Sequence, residues 1–188
     1  KEFNIIKIRT MLINADLNGV DSTAEDDIRI TKIGSFLRKY KIDELTQFLN
    51  IFLGDMSFVG PRPNVRRDTD LYTKIELGLL EIKPGLTDFS SVIFSDESKI
   101  LAKAKDPDIS YNQLIRPWKS RLGLFYIKKR SFSLDLKLIF ITFINTFFRR
   151  KSLKMVSHLL KINSAPEDLI RISLRKNPLF PTPPPGSD

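Results

Sequence analysis

Two stretches of the chain repeat apolar residues at the spacing of an amphipathic helix. In the first, which Thr31 can cap, the apolar positions are Ile33, Phe36, Leu37 and Tyr40. In the second, which begins near Ile42–Glu44 and ends at Gly54, they are Leu45, Phe48, Leu49 and Phe52. The pattern predicts two successive helices, with Asp43 and Glu44 in the first turn of the second.

Extended structure is predicted in a few short segments. β-branched residues favour a strand over Phe3–Met11, and Met56–Val59 is a short extended run. The segment Lys83–Leu86 has the proline and glycine of a type II turn, and Leu86–Phe94 after it is β-prone.

Three further ranges, Asp70–Glu81, Ser95–Lys105 and Trp118–Lys129, are predicted to be helical. The polar stretch over residues 16–27 is typical of a loop. Together the elements predict an α/β (α+β) fold that is mostly helical with a small sheet.

The segment Leu138–Phe148 is uncharged and lies between Lys137 and the basic run Arg149–Lys151. As a helix it would be about 16 Å long, about half the hydrocarbon thickness of a bilayer, so it cannot span one. Two interpretations stay open. It is either a buried core helix or an interfacial helix whose aromatic residues enter the membrane while the arginines meet phosphate headgroups.

Composition indicates a folded protein with an anionic partner. The 188 residues suffice for one domain with a core, and 31 Lys and Arg against 22 Asp and Glu give a net charge of +9. Such charge suits nucleic acid or an acidic membrane surface, but zinc-finger, leucine-zipper and RNP-like patterns are absent from the sequence. Charge alone does not choose between these partners, and a solvated basic surface without a specific partner is the favoured explanation before the motifs are considered. Because the nucleic-acid patterns are missing, the partner expected with those motifs is an anionic membrane surface and no nucleic acid. The absence of cysteine excludes disulfides and thiolate chemistry.

Candidate chemistry centres on adjacent carboxylates and one arginine. Asp43 and Glu44 fall at a helix start, where free backbone N–H groups keep a carboxylate ionised, as a nucleophile or metal ligand requires. Arg62 is held between Pro61 and Pro63, and its planar fork suits phosphate oxygens. The alternatives are a helix-capping aspartate and a rigid turn with a solvated arginine.

The ordered motifs decide between these alternatives. The segments Arg29–Arg38, Ile42–Asn50 and Gly54–Pro63 together resemble the bacterial sugar transferases, the monotopic polyprenyl-phosphate phosphoglycosyl transferases. The resemblance continues through three more segments, Lys7–Met11, Pro84–Asp88 and Phe132–Thr142, and so covers about residues 3 to 150.

The resemblance implies a domain division and a location. Residues 1–151 would be a single membrane-associated catalytic domain with amphipathic interfacial helices, truncated at its N-terminal membrane segment. Residues 152–188 would be an extension ending in a mobile, proline-rich tail. The family acts at the cytoplasmic face of the bacterial inner membrane. Thr46 departs from the family, which usually has proline there, and a slightly looser helix start is expected.

The resemblance also implies a reaction. Asp43 would attack the β-phosphate of a UDP-sugar, releasing UMP, and polyprenyl (undecaprenyl) phosphate would collect the phosphosugar from the aspartate. Mg²⁺ held by Asp43 and Glu44 would offset the diphosphate charge. Arg62 would bind phosphate, and weaker candidates for the same role are Lys7, Arg29 and Arg38. Whether the chain forms a homodimer stays open.

Other functions fit parts of the same pattern. A non-catalytic basic module for lipid or nucleic acid would share the charge, and its binding would weaken steeply with salt. A soluble, metal-dependent nucleotide-sugar hydrolase would fit the carboxylates. A degenerate scaffold would keep the fold only, but Asp43, Glu44 and Arg62 are intact, which argues against it.

Overall fold

A computed structural model describes residues 2–15 and 27–187. Most of the predicted loop over 16–27 therefore lies outside the described residues. The elements in chain order are α1 (Lys32–Lys39), α2 (Gln47–Phe52), β1 (Ser57–Val59), α3 (Arg66–Thr69), β2 (Gly85–Thr87), α4 (Phe89–Ile93), α5 (Glu97–Leu101), α6 (Pro107–Ser110), α7 (Arg116–Lys129), α8 (Phe132–Phe147), α9 (Arg149–Ile162) and α10 (Glu167–Ser173). Short 3₁₀ turns add Ile42–Glu44 and Glu76–Glu81, and a π-helical turn spans Tyr111–Ile115.

The chain forms two compact units. The first unit comprises Lys1–Met56 and Asp96–Tyr111, and the second comprises Ser57–Ser95 and Asn112–Asp188. Neither boundary falls at residue 151, so the division of the chain there stays a prediction. The fold class is confirmed, since helices dominate and the sheet has two strands.

In the first unit, the strand predicted over Phe3–Met11 is wrong. The segment is extended, but within it only Met11 forms a bridge, with Ile30. Side chains replace the missing strand partner, because the Ile6 N–H donates to Asn50 Oδ1 at 2.9 Å and the Asn50 amide donates to the Asn4 carbonyl at 2.8 Å. The segment is thus held against α2 instead of a second strand.

The two predicted helices of the first unit are present, but α2 is turned the other way. Thr31 caps α1 by accepting from the Gly34 N–H at 2.9 Å. In the second helical segment the buried residues are Asp43, Gln47 and Asn50. Its apolar positions face outward instead, and Phe52 is 89% exposed. The spacing therefore predicts which apolar residues share a face of the helix. That apolar face is exposed, and the polar face is the buried one.

In the second unit, β1 pairs with β2 in parallel, with Ser57 opposite Gly85 and Val59 opposite Thr87. The extended run predicted at Met56–Val59 is confirmed, whereas the type II turn at Lys83–Leu86 is wrong. Gly85 has no positive φ and lies in the strand. A Cβ at Gly85 would lie 2.1 Å from the Gly60 nitrogen, so glycine is required by the close approach of the strands.

Helices cover this strand pair. The β-prone stretch Leu86–Phe94 is extended only to Thr87, because the Asp88 carboxylate accepts from the Ser91 N–H at 2.7 Å and caps α4. The helix predicted at Trp118–Lys129 is confirmed as α7. The fully buried residues of this core include Phe89, Ile93, Leu122, Leu138 and Leu160.

The two interpretations of Leu138–Phe148 each describe one side of α8. Leu138 and Ile141 are buried against the rest of the unit, whereas Phe140, Phe143 and Phe147 are exposed. Across residues 2–15 and 27–187, no helix has the length and hydropathy needed to cross a bilayer.

The proline-rich tail makes specific hydrogen bonds within the second unit. The Thr182 N–H donates to the Gln113 carbonyl at 3.0 Å, and Arg121 donates to the Pro183 carbonyl at 3.1 Å. The Thr73 hydroxyl donates to the Pro185 carbonyl at 2.5 Å. These bonds give the tail defined partners, and its predicted mobility stays a prediction.

Candidate active site

Asp43 lies buried at the start of the second helical segment of the first unit, with 2% of the residue exposed. Lys41 comes two residues earlier in the left-handed conformation, with φ of 57°, and separates α1 from the 3₁₀ turn Ile42–Glu44. A non-glycine residue in this conformation is strained, and such strain concentrates at functional sites. The Asp43 carbonyl accepts from the Ile8 N–H at 3.1 Å, which places Lys7 beside the carboxylates.

Lys7 bridges the two adjacent carboxylates. Its Nζ lies 3.4 Å from Asp43 Oδ2 and 3.7 Å from Glu44 Oε1. The lysine side chain is 43% exposed, while that of Asp43 is 2% exposed, so the cation closes the solvent side of the carboxylate. The ammonium thereby offsets the negative charge of two neighbouring acids.

The two oxygens of Asp43 have different surroundings. Oδ2 faces Lys7, whereas Oδ1 is buried and accepts no hydrogen bond from any described residue. An unsatisfied buried acceptor costs about 1–3 kcal/mol, so this arrangement is unfavourable for stability alone. It also rules out the capping alternative, since a capping carboxylate would accept a backbone N–H. A carboxylate oxygen that accepts no hydrogen bond from the described residues suits a nucleophile or a metal ligand.

Arg38 adds a second positive charge near the pair. Its Nε donates to Thr10 Oγ1 at 2.8 Å, and burial lowers the pKa of Arg38, against the opposing effect of the Asp43, Asp27 and Glu44 carboxylates. A guanidinium remains charged at neutral pH even so. The structure therefore brings Lys7 and Arg38, both predicted from the sequence, into the field of Asp43.

Arg29 is paired with the Asp27 carboxylate. Its guanidinium binds the Asp27 carboxylate through two nitrogens, Nε at 3.0 Å and Nη2 at 2.7 Å, and Nη1 donates to the Ala15 carbonyl at 2.9 Å. Hydrogen bonding from Arg29 lowers the pKa of Asp27. Because this fork is occupied by Asp27, the structure gives no support to a phosphate-binding role for Arg29.

Arg62 belongs to the second unit and follows β1. Its Nη1 donates to the Leu86 carbonyl in β2 at 2.7 Å, which fixes one side of the guanidinium. The side chain is half-buried, and the preceding Pro61 is buried. The Pro61 carbonyl accepts from the Gly85 N–H at 2.9 Å, so the loop leaves the strand pair in a defined direction.

Sequence reasoning missed the polar residues that support the carboxylates. Gln47 is 1% exposed, and its Oε1 accepts no hydrogen bond within the described part of the chain. Thr46 donates its hydroxyl to the Ile6 carbonyl at 2.9 Å and keeps a φ of −64°, the value that the family's proline would impose. The signal was present, since Asp43, Gln47 and Asn50 follow the same helical period as the apolar residues.

The candidate ligands for a divalent cation are two carboxylates, those of Asp43 and Glu44. Among residues 2–15 and 27–187, no group of three or more His, Cys, Asp or Glu side chains could hold a metal. Asp43 and Glu44 supply carboxylate oxygens, of which Asp43 Oδ1 has no other partner within this part of the chain. Mg²⁺ is commonly held by one or two carboxylates, with water and substrate phosphates completing its shell, so two acids suffice.

A cleft of about 560 Å³ opens in the second unit. It is lined near the strand starts by Ser57 and Lys83 and on the helical side by Tyr126, Arg130 and Asp135. None of the six predicted site residues lines it, so its presence does not bear on their roles.

A comparison with known families decides the identity. The model of the bacterial sugar transferase family matches residues 1–149, well over half of the chain. The chain belongs to the bacterial sugar transferase family. The resemblance seen in the sequence motifs is thereby confirmed.

Individual relatives of this transferase carry consistent names. The chain is 33% identical over 81% of its length to a UDP-glucose:undecaprenyl-phosphate glucose-1-phosphate transferase of Klebsiella pneumoniae, covering 31% of that protein. It is 32% identical over 76% of its length to a UDP-N-acetylgalactosamine-undecaprenyl-phosphate N-acetylgalactosaminephosphotransferase of Aeromonas hydrophila, again covering 31%. An uncharacterized sugar transferase, EpsL of Bacillus subtilis, is 35% identical over 76% of the chain, which covers 61% of it. The transferase chain thus spans about one to two thirds of these relatives.

Proposed function

We propose that this chain carries the catalytic residues of an enzyme that transfers sugar-1-phosphate from a UDP-sugar to polyprenyl (undecaprenyl) phosphate. The names of the relatives support this reaction class. The observation that carries the assignment to residues is the Asp43 carboxylate, buried and paired with Lys7 through Oδ2 while Oδ1 accepts no hydrogen bond from the described residues. Such an oxygen keeps its lone pairs for a substrate.

The proposed first step forms a covalent intermediate. An Asp43 carboxylate oxygen attacks the β-phosphorus of the UDP-sugar, and the bond from that phosphorus to the bridging oxygen breaks. UMP departs with the electron pair of that bond, and the sugar phosphate stays esterified to Asp43. In the second step, an oxygen of polyprenyl phosphate attacks the same phosphorus. The ester bond breaks, Asp43 returns to a carboxylate, and a lipid diphosphosugar is formed.

The neighbouring charges would serve this chemistry. Lys7, with Nζ 3.4 Å from Asp43 Oδ2, would offset the repulsion between this carboxylate and a polyanionic substrate. Arg38 adds positive charge that favours the diphosphate. Arg62, orientated by the Leu86 carbonyl, would bind a phosphate oxygen pair.

Glu44 and Asp43 would hold a divalent cation, for which Mg²⁺ is the proposal, and this ion would neutralise the diphosphate and the leaving UMP. Glu44 would position this ion or the acceptor phosphate. Its Oε1 lies 3.7 Å from Lys7 Nζ, so the same lysine orients both acids.

The test is UMP release by the protein and its variants in a membrane preparation, given a panel of UDP-sugars, Mg²⁺ and polyprenyl phosphate. Asp43→Asn keeps the shape but removes the nucleophile, so we expect UMP release to be abolished. Glu44→Gln should be severely impaired, and Arg62→Ala should raise the concentration of UDP-sugar required. Asp70→Asn, at an exposed position, is the matched control and should be fully active.

Three outcomes separate the candidate functions. Near-normal turnover by Asp43→Asn refutes the covalent role of this aspartate. An undetectable release of UMP by the unaltered protein favours the non-catalytic basic module. UMP release that needs no lipid acceptor and no membrane favours the nucleotide-sugar hydrolase.

A specific observation also supports a membrane surface as partner. The exposed side of α8 carries Phe140, Phe143 and Phe147, and the basic run Arg149–Lys151 follows directly. Aromatic side chains next to arginine and lysine suit the boundary between acyl chains and anionic headgroups. These side chains support our proposal that the protein lies on a bilayer, and the family resemblance is the reason for proposing the cytoplasmic face of the bacterial inner membrane.

A further inference from the structure

Tyr126 makes a buried junction in the second unit between α7, α8 and β1. The residue is 3% exposed, and its hydroxyl lies 2.7 Å from Asp135 Oδ1 on α8 and 3.3 Å from the Val59 carbonyl at the end of β1. Both are acceptors, so the single hydroxyl hydrogen serves a carboxylate and a strand carbonyl together. A charged acceptor strengthens such a bond and holds the phenol in one orientation.

The backbone next to this junction leads directly to Arg62. Beyond Val59, the Gly60 N–H donates to the Thr87 carbonyl at 3.0 Å, and the Pro61 carbonyl accepts from Gly85 at 2.9 Å. The strand end is therefore fixed by β2 on one side. On the other side, the Val59 carbonyl accepts from the Ser57 hydroxyl at 2.6 Å and from the Tyr126 hydroxyl at 3.3 Å. Arg62 is the third residue after Val59.

Helix α7 also packs against the loop itself. A Cβ at Gly123 would lie 3.4 Å from Pro61 Cγ and 2.7 Å from Leu79 Cδ2, so the helix passes close to both side chains at this glycine. Gly123 and Tyr126 are three residues apart and lie on one face of the helix. One face of α7 thus contacts both Val59 and Pro61.

We propose that Tyr126 and Asp135 are positioning residues that set the placement of Arg62 for phosphate binding. Neither residue would touch the substrate. Asp135 orients the phenol, the phenol holds the Val59 carbonyl, and the strand end directs the loop that carries the guanidinium. A displacement of about 1 Å in a positioning group can cost about 100-fold in rate, so a remote hydroxyl can matter for turnover.

This inference rests on the proposed function, and two measurements test it. Tyr126→Phe removes only the hydroxyl, and we expect KM for the UDP-sugar to rise about tenfold with kcat much less changed. In an Arg62→Ala background the same change should add less than about twofold, because the two residues act as one device. Asp135→Asn keeps an oxygen that can accept the phenol hydrogen, so its KM should fall between those of the unaltered protein and Tyr126→Phe.

Hydrogen exchange provides a readout that needs no catalysis. In Tyr126→Phe, the amides of Val59, Gly60 and Arg62 should exchange faster, while those of α9 should be unchanged. Val156→Ala, in the buried core of α9, is the control for loss of stability and should leave KM unaltered.

Failure of the positioning role can be distinguished from failure of the proposed function. Equal KM for Tyr126→Phe and the unaltered protein, or a full tenfold effect in the Arg62→Ala background, would overturn the positioning role. Unchanged exchange at Val59, Gly60 and Arg62 would overturn it even if the unaltered protein released no UMP. Absence of UMP release together with faster exchange would contradict the proposed function. It would still support the link between the Tyr126 hydroxyl and the loop that carries Arg62.

Discussion

At the scale of single residues, Lys7 Nζ lies 3.4 Å from an Asp43 oxygen and 3.7 Å from a Glu44 oxygen. The adjacent acids and the ordered motifs around them predict a site at Asp43 and Glu44, and the catalytic role of both residues stays a prediction. The bond between Arg29 and Asp27 was not foreseen, because a sequence shows which cations exist and not which carboxylate each one meets. Asp43 Oδ1, without a donor in the described chain, is likewise visible only in three dimensions.

Tyr126 provides a prediction about pH at the same scale. Burial, together with the hydrogen bond to Asp135, raises the pKa of Tyr126 well above its usual range. Below pH of about 10, an unfolded tyrosine and the folded one are both protonated, and the hydroxyl contributes its full stability. Above that pH the unfolded phenol ionises first, so the contribution is lost as pH rises towards the folded pKa.

We expect the difference in unfolding free energy between the unaltered protein and Tyr126→Phe to become smaller as pH rises. At pH 8, Tyr126→Phe should be less stable by about 1.5–3 kcal/mol, the usual worth of a hydrogen bond to a charged group. At pH 11 the gap should be about 1.4 kcal/mol smaller, since one pKa unit corresponds to that energy. Urea unfolding at both pH values measures the gap, and a constant gap would contradict the assignment of the raised pKa to this tyrosine.

At the scale of elements, periodicity predicted the existence of α1, α2 and α7 but not the direction in which α2 faces. A repeat of apolar residues defines a stripe, and the usual assumption is that the stripe is buried. Here the buried stripe is polar, because Asn50 must satisfy the backbone of Asn4 and Ile6, for which no strand partner is present in the described chain. Hydrogen bonds to a distant segment of the chain therefore decide which side of α2 is buried, and the apolar periodicity does not.

The strand pair illustrates a second reason for failure. Proline followed by glycine at Pro84–Gly85 is typical of a turn, yet the same glycine is needed wherever two backbones approach closely. Local sequence cannot distinguish these uses, because the neighbour that requires the glycine is Gly60, 25 positions earlier.

The reversed helix α2 leads to a stability prediction. Asn50→Ala should destabilise the protein by about 1–3 kcal/mol, because it removes two hydrogen bonds and leaves the Ile6 N–H without its acceptor. Phe52→Ser, at a position that is 89% exposed, should change stability by less than about 0.5 kcal/mol. Thermal unfolding of both variants measures this, and a larger loss for Phe52→Ser would mean that the apolar side of α2 is covered in solution.

At the scale of the whole molecule, charge and exposed apolar surface point to the same partner. The net charge of +9 favours an anionic surface, and each unit presents its own apolar face, at α1 and α2 in the first and at α8 in the second. Exposed aromatic residues in such numbers are costly in water and useful at a membrane boundary. Composition predicts an anionic partner, and the structure adds which exposed side chains would enter a membrane surface if that prediction holds.

Binding of the chain to lipid vesicles tests this directly. We expect the chain to bind vesicles that contain an anionic phospholipid more tightly than neutral ones, and salt should weaken the difference. Phe143→Ser combined with Phe147→Ser should lower the affinity at least about tenfold, since burying one phenylalanine side chain contributes about 1.5–3 kcal/mol. Phe180→Ser, at a 64% exposed position in the tail, is the matched control and should bind normally. Equal binding by the α8 variant and the control would show that the aromatic side of α8 has a different partner, and thermal unfolding would establish that both variants remain folded.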